Sequence, residues 1–256
     1  MNLNSALRTG ASVSTIALIL CLTIGTLVLE SAGAKPLPAP AGWWKFSEGK
    51  GTTVADSSSA GNSATLQPGA TWAPGKADPF CISLSGSDTG FADIPIPVVD
   101  TTKSYTVMAW VKFAQLGGFQ TFVSIDGEQV SGFYLQLRGD SQKLAIGVLP
   151  GDAGDPNTPA IAQSNDVPQT GWWYHVAGVY DATAKTVALY VDGSLQQTTP
   201  CTAVWKAYGH TLIGRAKYNG SPVDFTNGSI DDVRLYAAAL SASDIGEIAK
   251  VGAATP

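Results

Sequence analysis

The sequence predicts an all-β fold, a sandwich of two antiparallel sheets that carries one short C-terminal helix. The first observation is a hairpin at residues 172–193, whose second half alternates in β-branched and aromatic residues. The second is a series of about a dozen short strand-like runs separated by regular turns. The third is that only residues 241–250 combine a helical pattern with a start signal. No internal repeat or linker divides these elements, so one domain is expected.

The hairpin provides the starting point for the sheet. Val187, Leu189 and Val191 fall on one face of its second strand, and the residues between them fall on the other. A period of two is typical of a strand with one face turned to a core. Residues 173–180 are apolar on both faces and therefore predict a strand inside a sheet. An Asp-Gly turn then leads into a third antiparallel strand at 195–198.

The other strands are predicted by alternation or by apolar runs bounded by turn residues. In chain order they are residues 43–46, a short strand within 48–56, then 64–66, 82–84, 91–94, 105–113, 121–125, 132–138, 143–149, 211–214 and 225–236. Residues 150–159 are rich in glycine, aspartate and proline and predict a loop. Ser241 is the predicted N-cap of the terminal helix, with Asp244 three residues further on.

Composition and charge exclude several classes of protein. The net charge is −5, only 14% of residues are charged, and no basic patch is present. Nucleic acids and anionic membrane surfaces are therefore not expected as partners. A content of 45% hydrophobic residues and seven tryptophans is not that of a disordered chain.

The N-terminus has the pattern of an export signal. Arg8 precedes an uncharged apolar run at 11–29, and a small-residue cleavage site follows at 32–34. The run is also about long enough to span a bilayer, so an uncleaved membrane anchor is the alternative. Either interpretation places the domain outside the cytoplasm, secreted or at the cell surface. The predicted organisation is a signal peptide or anchor at 1–34, a linker at 35–41, the β domain at 42–250 and a tail at 251–256.

Two cysteines remain after processing at this site. In an oxidising compartment an even number of cysteines favours pairing, so a Cys81–Cys201 disulfide is predicted. Closing so long a loop contributes on the order of 4–5 kcal/mol in the chain-entropy model. The alternative is two separate buried thiols.

Six short motifs occur in a recognisable order along the chain. They are Trp44-Lys-Phe-Ser-Glu-Gly-Lys-Gly with Val-Ala-Asp-Ser-Ser at 54–58, Tyr-Thr-Val-Met-Ala-Trp-Val-Lys at 105–112, Trp-Trp-Tyr-His-Val-Ala-Gly-Val-Tyr-Asp at 172–181, Leu-Tyr-Val-Asp-Gly at 189–193, Leu-Ile-Gly at 212–214, and Gly-Ser-Ile-Asp-Asp-Val-Arg-Leu-Tyr at 228–236. Together they resemble the laminin-G-like, concanavalin A-like jelly-roll domain of secreted bacterial proteins, over about residues 42–250. The resemblance implies a two-sheet jelly roll, usually a binding or adhesion module and often with a structural calcium ion. The same fold also hosts glycosidases and polysaccharide lyases, so it does not decide the function.

The residues offer little for catalysis. Glycoside cleavage needs two carboxylates facing a groove, yet beyond residue 34 the glutamates are Glu48, Glu128 and Glu247. None of them lies in the Glu-x-Asp-x-x-Glu pattern of laminarinase-like relatives. A lyase would need Tyr, His or Arg side chains on one sheet face, and His175 is interpreted as a structural residue of its strand. A non-catalytic protein is therefore expected.

A calcium site is predicted where the start of the domain meets its end. Calcium prefers six to eight oxygen ligands, and the loop from Asp56 to Asn62 supplies such oxygens. The resemblance places Asp231 and Asp232 at the family's paired acidic position, and Glu48 is a possible further ligand. Two carboxylates this close need a cation or an arginine partner. The alternative is that these residues only stabilise turns and a strand edge.

The sequence therefore predicts a secreted, non-catalytic module that binds carbohydrate and holds a structural calcium ion. Two alternatives stay open: a cell-envelope adhesion protein that binds another protein, and a divergent polysaccharide lyase or glycoside hydrolase. Phe119, Trp205, Tyr208 and Tyr218 lie in loop-like stretches and have the chemistry to stack on sugars. For any one of them, the favoured interpretation is a loop residue that packs on the edge of the sandwich. The ligand-binding residues are left unassigned.

Overall fold

The computed structural model describes residues 36–153 and 159–251. Its first sheet contains, in spatial order, β14 (Ser194–Pro200), β13 (Thr186–Val191), β12 (Trp173–Asp181), β7 (Tyr105–Phe113), β18 (Asn227–Tyr236), β5 (Phe80–Ser85) and β4 (Ala70–Pro74), with β1 (Gly42–Trp44) also paired to β18. The second contains β11 (Ala160–Gln163), β10 (Leu144–Val148), β9 (Ser131–Leu137), β8 (Gln120–Asp126), β15 (Thr211–Ile213), β6 (Ala92–Ile94), β3 (Ala64–Leu66) and β2 (Thr53–Val54). Neighbouring strands run antiparallel in both sheets. These are the two antiparallel sheets that the sequence predicts.

The core lies between the two sheets. Alternate residues of β7, such as Val107 and Val111, face inward and meet Leu135 and Ile146 of the second sheet. The predicted hairpin is present: β12 lies between β7 and β13, and Val187 and Leu189 of β13 are fully buried in this core. Each sheet therefore has one inner face, committed to the core, and one outer face.

Helix α1 (Ala242–Lys250) covers part of the outer face of the first sheet. Ile245 and Ile248 of the helix pack against Met108 and Ala177 of the sheet. The helix starts as predicted, because Ser241 accepts a hydrogen bond from the Asp244 amide and the Asp244 carboxylate accepts one from the Ser241 amide. In the described part of the chain, no helix is long and apolar enough to cross a membrane.

Three stretches form strands that the sequence did not predict. They are β4, β11 and a separate small hairpin of β16 (Ala216–Tyr218) and β17 (Ser221–Val223). The predicted export segment, residues 1–34, lies outside the described residues, as does most of the predicted tail and part of the predicted 150–159 loop.

The predicted disulfide is wrong in this structure, where Cys81 and Cys201 are both free and buried. Cys81 lies on the outer side of β5, and its thiol donates to the Pro74 carbonyl at 3.2 Å. Cys201 follows β14 and belongs to the core between the sheets. β5 and β14 are separated by four strands, which corresponds to roughly 20 Å or more. Disulfide formation requires Cα atoms within about 7 Å. The even number of cysteines therefore led to an incorrect prediction of a disulfide.

We expect both thiols to be reactive only after unfolding. Burial raises the pKa of each thiol to about 11, so the folded protein holds both in the protonated, unreactive form. Alkylation of denatured, unreduced protein followed by peptide mapping should label Cys81 and Cys201 completely. The melting midpoint should be the same with and without a reducing agent. Recovery of a linked peptide containing both cysteines would contradict the structure.

Candidate functional site

An open groove lies on the outer face of the second sheet. In β9, Phe133, Leu135 and Leu137 point into the core, so the alternate residues Tyr134 and Gln136 point outward and form the floor of the groove. Gly147 on the neighbouring strand β10 adds no side chain, which keeps this part of the floor low. The groove has a volume of about 370 Å³, within the range of small-ligand sites.

Two aromatic side chains stand at the groove with large exposed surfaces. Phe119 comes from the loop before β8, and Tyr218 comes from the β16–β17 hairpin. The Arg138 guanidinium lies 5.4 Å from the centre of the Phe119 ring and is itself ion-paired with Asp140. The cation–π contact holds the Phe119 ring in position. The positive charge of Arg138 is balanced by the Asp140 carboxylate. The groove thus presents aromatic surfaces beside an arginine whose charge is already paired.

Gln136 is an unusual residue for a groove floor. Its side chain is only 5% exposed, and its Oε1 atom is buried without a hydrogen-bond partner among the described residues. Leaving such an acceptor unpaired costs about 1–3 kcal/mol. An unpaired buried group in a native fold requires an explanation, and a ligand that donates a hydrogen bond would provide one.

Asp224 supplies a second unpaired acceptor in the groove. It follows β17 in a left-handed backbone conformation, with φ of 58°. Its carboxylate makes no hydrogen bond or ion pair with any described residue, and burial raises its pKa from 3.8 to about 6. The nearby Tyr134 hydroxyl cannot donate to it, because that hydroxyl already donates to the Lys217 carbonyl at 2.7 Å. Asp224 is therefore a half-buried, partly desolvated acceptor without a donor among the described residues.

The structure separates the four aromatic candidates of the sequence. Phe119 and Tyr218 line the groove, whereas Trp205 packs beneath it against the core and Tyr208 is exposed elsewhere on the surface. The sequence did not single out Gln136 or Asp224. The sequence of β9 nevertheless contained a signal for Gln136. One face of this strand is entirely apolar, and the opposite face carries a tyrosine and a glutamine, a combination that an ordinary solvent-exposed face does not need.

The predicted calcium ligands at the start of the domain are occupied by protein donors. The Asp56 carboxylate accepts hydrogen bonds from the amides of Trp43, Ser58 and Asn62 at 2.8–2.9 Å. Asn62 takes part through its backbone, whose carbonyl accepts from the Trp44 indole. Glu48 accepts from the Ala55 amide through one oxygen, and its other oxygen is buried and unpaired within the described chain.

The predicted ligands at the end of the domain are occupied as well. Asp232 forms a buried ion pair with Arg234 at 2.8 Å and also accepts from the Trp43 indole. Asp231 accepts from the amides of Lys76 and Ala77 at 2.7 and 2.9 Å. Within the described ranges, no cluster of three or more acidic, histidine or cysteine side chains is suited to a metal ion. N–H donors already use the carboxylate oxygens of Asp56, Asp231 and Asp232, and the five predicted residues do not come together as one metal cluster in the described chain. They therefore do not fit calcium in this arrangement, although one Glu48 oxygen is left without a partner.

Comparisons with known proteins agree with this architecture. A family model described as the concanavalin A-like lectin/glucanases superfamily matches residues 85–246, which is more than half of the chain. No curated protein matches the sequence at a significant level.

Solved structures share the fold at low sequence identity. Domain 4 of the arabinanase AbnA from Geobacillus stearothermophilus, solved with arabinotriose, is similar with a TM-score of 0.65 at 20% identity, over 84% of this chain and 100% of that one. The botulinum neurotoxin serotype G binding domain has a TM-score of 0.63 at 12% identity, over 84% and 51% of the two chains. A Trypanosoma rangeli sialidase has a TM-score of 0.58 at 18% identity, over 81% and 32%. This chain thus spans the whole of the arabinanase domain but about half or less of the other two proteins.

Calcium removal is expected to leave the domain unchanged. Because amides and an arginine satisfy the predicted ligands, the melting midpoint should be equal with excess calcium and with a chelator. Asp56→Ala should lower the stability by roughly 2–3 kcal/mol in both conditions, since it leaves three amides without their acceptor. Asp166→Ala, at an exposed position, is the matched control. A chelator-dependent midpoint that disappears in Asp56→Ala would show that calcium binds after all.

Asp224 should lower the stability of the domain at neutral pH. Its pKa is higher in the folded than in the unfolded state, so the unfolded state binds fewer protons between about pH 4 and 6 and stability falls as the pH rises through this window. Asp224→Asn keeps a residue that tolerates the left-handed backbone and removes the charge. We expect urea unfolding to show a stabilisation of up to about 3 kcal/mol at pH 7 and little difference at pH 4. An equal effect at both pH values would indicate a cause other than ionisation.

Proposed function

We propose that this chain, which belongs to the concanavalin A-like lectin/glucanase superfamily, is a carbohydrate-binding protein that holds a glycan in the groove of the second sheet without cleaving it. The observation that carries the proposal is the combination of two exposed aromatic rings, Phe119 and Tyr218, with two unpaired acceptors, Gln136 and Asp224. Small-ligand sites commonly pair aromatic walls with a few placed polar groups.

Sugars match both parts of this arrangement. The C–H faces of a sugar ring are apolar and pack on aromatic side chains, which provide large rigid surfaces. Its hydroxyl groups are hydrogen-bond donors, and the Gln136 oxygen and the Asp224 carboxylate are acceptors without partners in the described chain. A hydrogen bond to an ionised carboxylate is about twice as strong as one between neutral groups. Binding would therefore recover the free energy that these acceptors cost in the unliganded protein.

The lining of the groove supports binding rather than hydrolysis. Glycosidases of the common type place two carboxyl groups on either side of the scissile bond. Among the described residues that line this groove, Asp224 is the one carboxylate. Asp140 lies close by but is engaged with Arg138. The proposal is therefore a module that retains its ligand unchanged, outside the cytoplasm as the N-terminal sequence predicts.

The structural neighbours support the same class of ligand. Domain 4 of the arabinanase was solved in complex with arabinotriose, and the cell entry of botulinum neurotoxin type C depends on interaction with two ganglioside molecules. At 20% identity or less, these similarities concern the fold alone. The proposal of a sugar ligand for this chain rests on the lining of its own groove.

Glycan-array binding followed by calorimetry tests the proposal. Phe119→Ala and Tyr218→Ala should each weaken binding of the best glycan at least tenfold, or about 1.4 kcal/mol. Tyr208→Ala is the matched control, because Tyr208 is an exposed aromatic outside the groove. Gln136→Leu should lose affinity while its melting midpoint stays equal or rises, because it removes an unpaired buried acceptor.

Two results would contradict the proposal. One is the absence of any glycan bound by the folded wild type, and the other is a calorimetric affinity and stoichiometry that both aromatic substitutions leave unchanged. Release of reducing ends or unsaturated products from the bound glycan, abolished in Asp224→Asn, would show an enzyme instead of a binding protein.

A further inference from the structure

A second concave site, which we call the tryptophan cleft, lies on the outer face of the first sheet beside helix α1. It is lined by Trp110, Trp172, Trp173, Lys76, Asp192 and Ser194, together with small residues of the helix, and has a volume of about 560 Å³. Trp110 on β7 and Trp173 on β12 point outward because the alternate residues of both strands face the core. None of these residues lines the groove of the second sheet.

The tryptophans of the cleft differ strongly in their exposure to solvent. Trp172 follows Gly171, whose φ of 78° turns the chain sharply, and Trp172 is 66% exposed. Trp110 is only 4% exposed, and its indole N–H has no hydrogen-bond partner among the described residues. The exposed Trp172 ring and the buried Trp110 N–H without a partner lie in one concave lining, and this combination, rather than the exposed ring alone, indicates a recognition site.

The polar part of the cleft is prearranged. Asp192 and Gly193 form the tight turn after β13, with φ values of 50° and 77°. One oxygen of Asp192 accepts from the His175 amide at 2.9 Å, which fixes the side chain, and the other makes no hydrogen bond within the described chain. Burial raises the pKa of Asp192, whereas the His175 amide and the Lys76 ammonium act in the opposite direction. The cleft thus offers one free acceptor oxygen close to a cation.

The charges decide which ligand fits. The Lys76 ammonium lies 5.6 Å from the centre of the Trp110 ring and close enough to Asp192 to act on its carboxylate. Lys250, also at the cleft, is ion-paired with Glu247 at 2.7 Å. Among the described residues that line the cleft, Lys76 is the one unpaired cation and Asp192 the one carboxylate, so these two charges balance. Lys112 lies 4.8 Å from the centre of the Trp173 ring but lines a neighbouring concavity. The lining of the cleft therefore does not favour a charged ligand. A ligand with apolar faces and with hydroxyl groups that both donate and accept matches the indoles, Asp192, Lys76 and the Ser194 hydroxyl.

We propose that the tryptophan cleft is a second saccharide site, which takes neutral sugars, so that one chain binds glycan on two opposite faces. The cleft itself does not depend on the groove, because the two sites use different sheets and share no lining residue, whereas binding on both faces rests on the proposed function. With both sites occupied, a single chain would cross-link polysaccharide strands. Binding of one multivalent polysaccharide would then exceed the affinity of either site through effective concentration.

Intrinsic fluorescence separates the two sites. The cleft contains three tryptophans, whereas the aromatic residues that line the groove are phenylalanine and tyrosine, with Trp205 packed nearby. Loss of the response in Trp172→Ala and its retention in Phe119→Ala would therefore assign the response to the cleft. Titration with neutral pentose and hexose oligomers should change the tryptophan emission of the wild type, and matched uronic-acid oligomers should bind at least tenfold more weakly. Trp172→Ala should weaken the neutral oligomers at least tenfold. Asp192→Asn, which keeps the acceptor for the His175 amide and tolerates the left-handed backbone, should also weaken them.

The matched controls are Tyr208→Ala and the groove variant Phe119→Ala, and both should keep the fluorescence response. Wild-type protein should precipitate a soluble neutral polysaccharide, whereas Trp172→Ala and Phe119→Ala should each bind it without precipitation.

Retained precipitation in Trp172→Ala, or the absence of any fluorescence change with neutral oligomers, overturns the second site. Wild-type dimerisation in sedimentation, abolished by Trp172→Ala, would assign the cleft to a second copy of this chain and also overturns the saccharide. Loss of groove binding alone, with the fluorescence response intact, would refute only the proposed function.

Discussion

Trp43 joins the first strand of the domain to the last, and the arrangement of the first sheet depends on this junction. Its amide donates to Asp56, its indole donates to Asp232, and its ring lies 4.3 Å from the Arg234 guanidinium. Arg234 is the cross-strand partner of Trp43 and pairs with Asp232. Removing either member of a buried ion pair leaves an uncompensated charge. The junction therefore mainly determines the position at which the first strand pairs with the last strand. Its contribution to the net free energy of folding is of lesser importance.

The same junction resolves the repulsion between two adjacent acids. β18 is irregular between Asp231 and Arg234, and Asp232 has a φ of 47°. The two carboxylates thereby reach different partners: Asp232 reaches Arg234, and Asp231 reaches the amides of residues 76 and 77. The sequence indicated that these acids need a cation or an arginine. It could not choose between them, because the choice depends on a local backbone irregularity that has no signature in the residue pattern.

The fold was predictable wherever the pattern is local. The hairpin of β12 and β13, strand β7 and the capped helix α1 were each predicted within a few residues, because alternation and capping depend on neighbours in sequence. β4 and the β16–β17 hairpin were missed. These strands contain Pro74 and Pro222, and their existence depends on pairing with strands that the residue pattern does not identify. The disulfide failed for a related reason, since a count of cysteines contains no information on distance.

The candidate site was less predictable than the fold. Phe119 and Tyr218 were among four aromatic candidates, but only tertiary structure separates them from Trp205, which packs on the core. Gln136 and Asp224 meet in the groove from distant parts of the chain. Their importance lies in missing partners, and an absent hydrogen bond cannot be inferred from residue types.

The acidic residues of the domain differ in whether hydrogen-bond donors satisfy their carboxylates, and this difference gives the clearest physical argument for binding. Asp56 accepts from three amides, and Asp152 likewise accepts from the amides of residues 128, 129 and 130. Asp126, which is almost fully buried, pairs with Arg215. Acids that hold this fold together are thus supplied with donors. Asp224 in the groove has none among the described residues, and Asp192 in the tryptophan cleft keeps one oxygen free. Glu48 also keeps one oxygen without a partner among the described residues, but it lines neither concave site. Asp224 and Asp192 are open at concave aromatic surfaces, where the hydroxyl groups of a sugar would complete them.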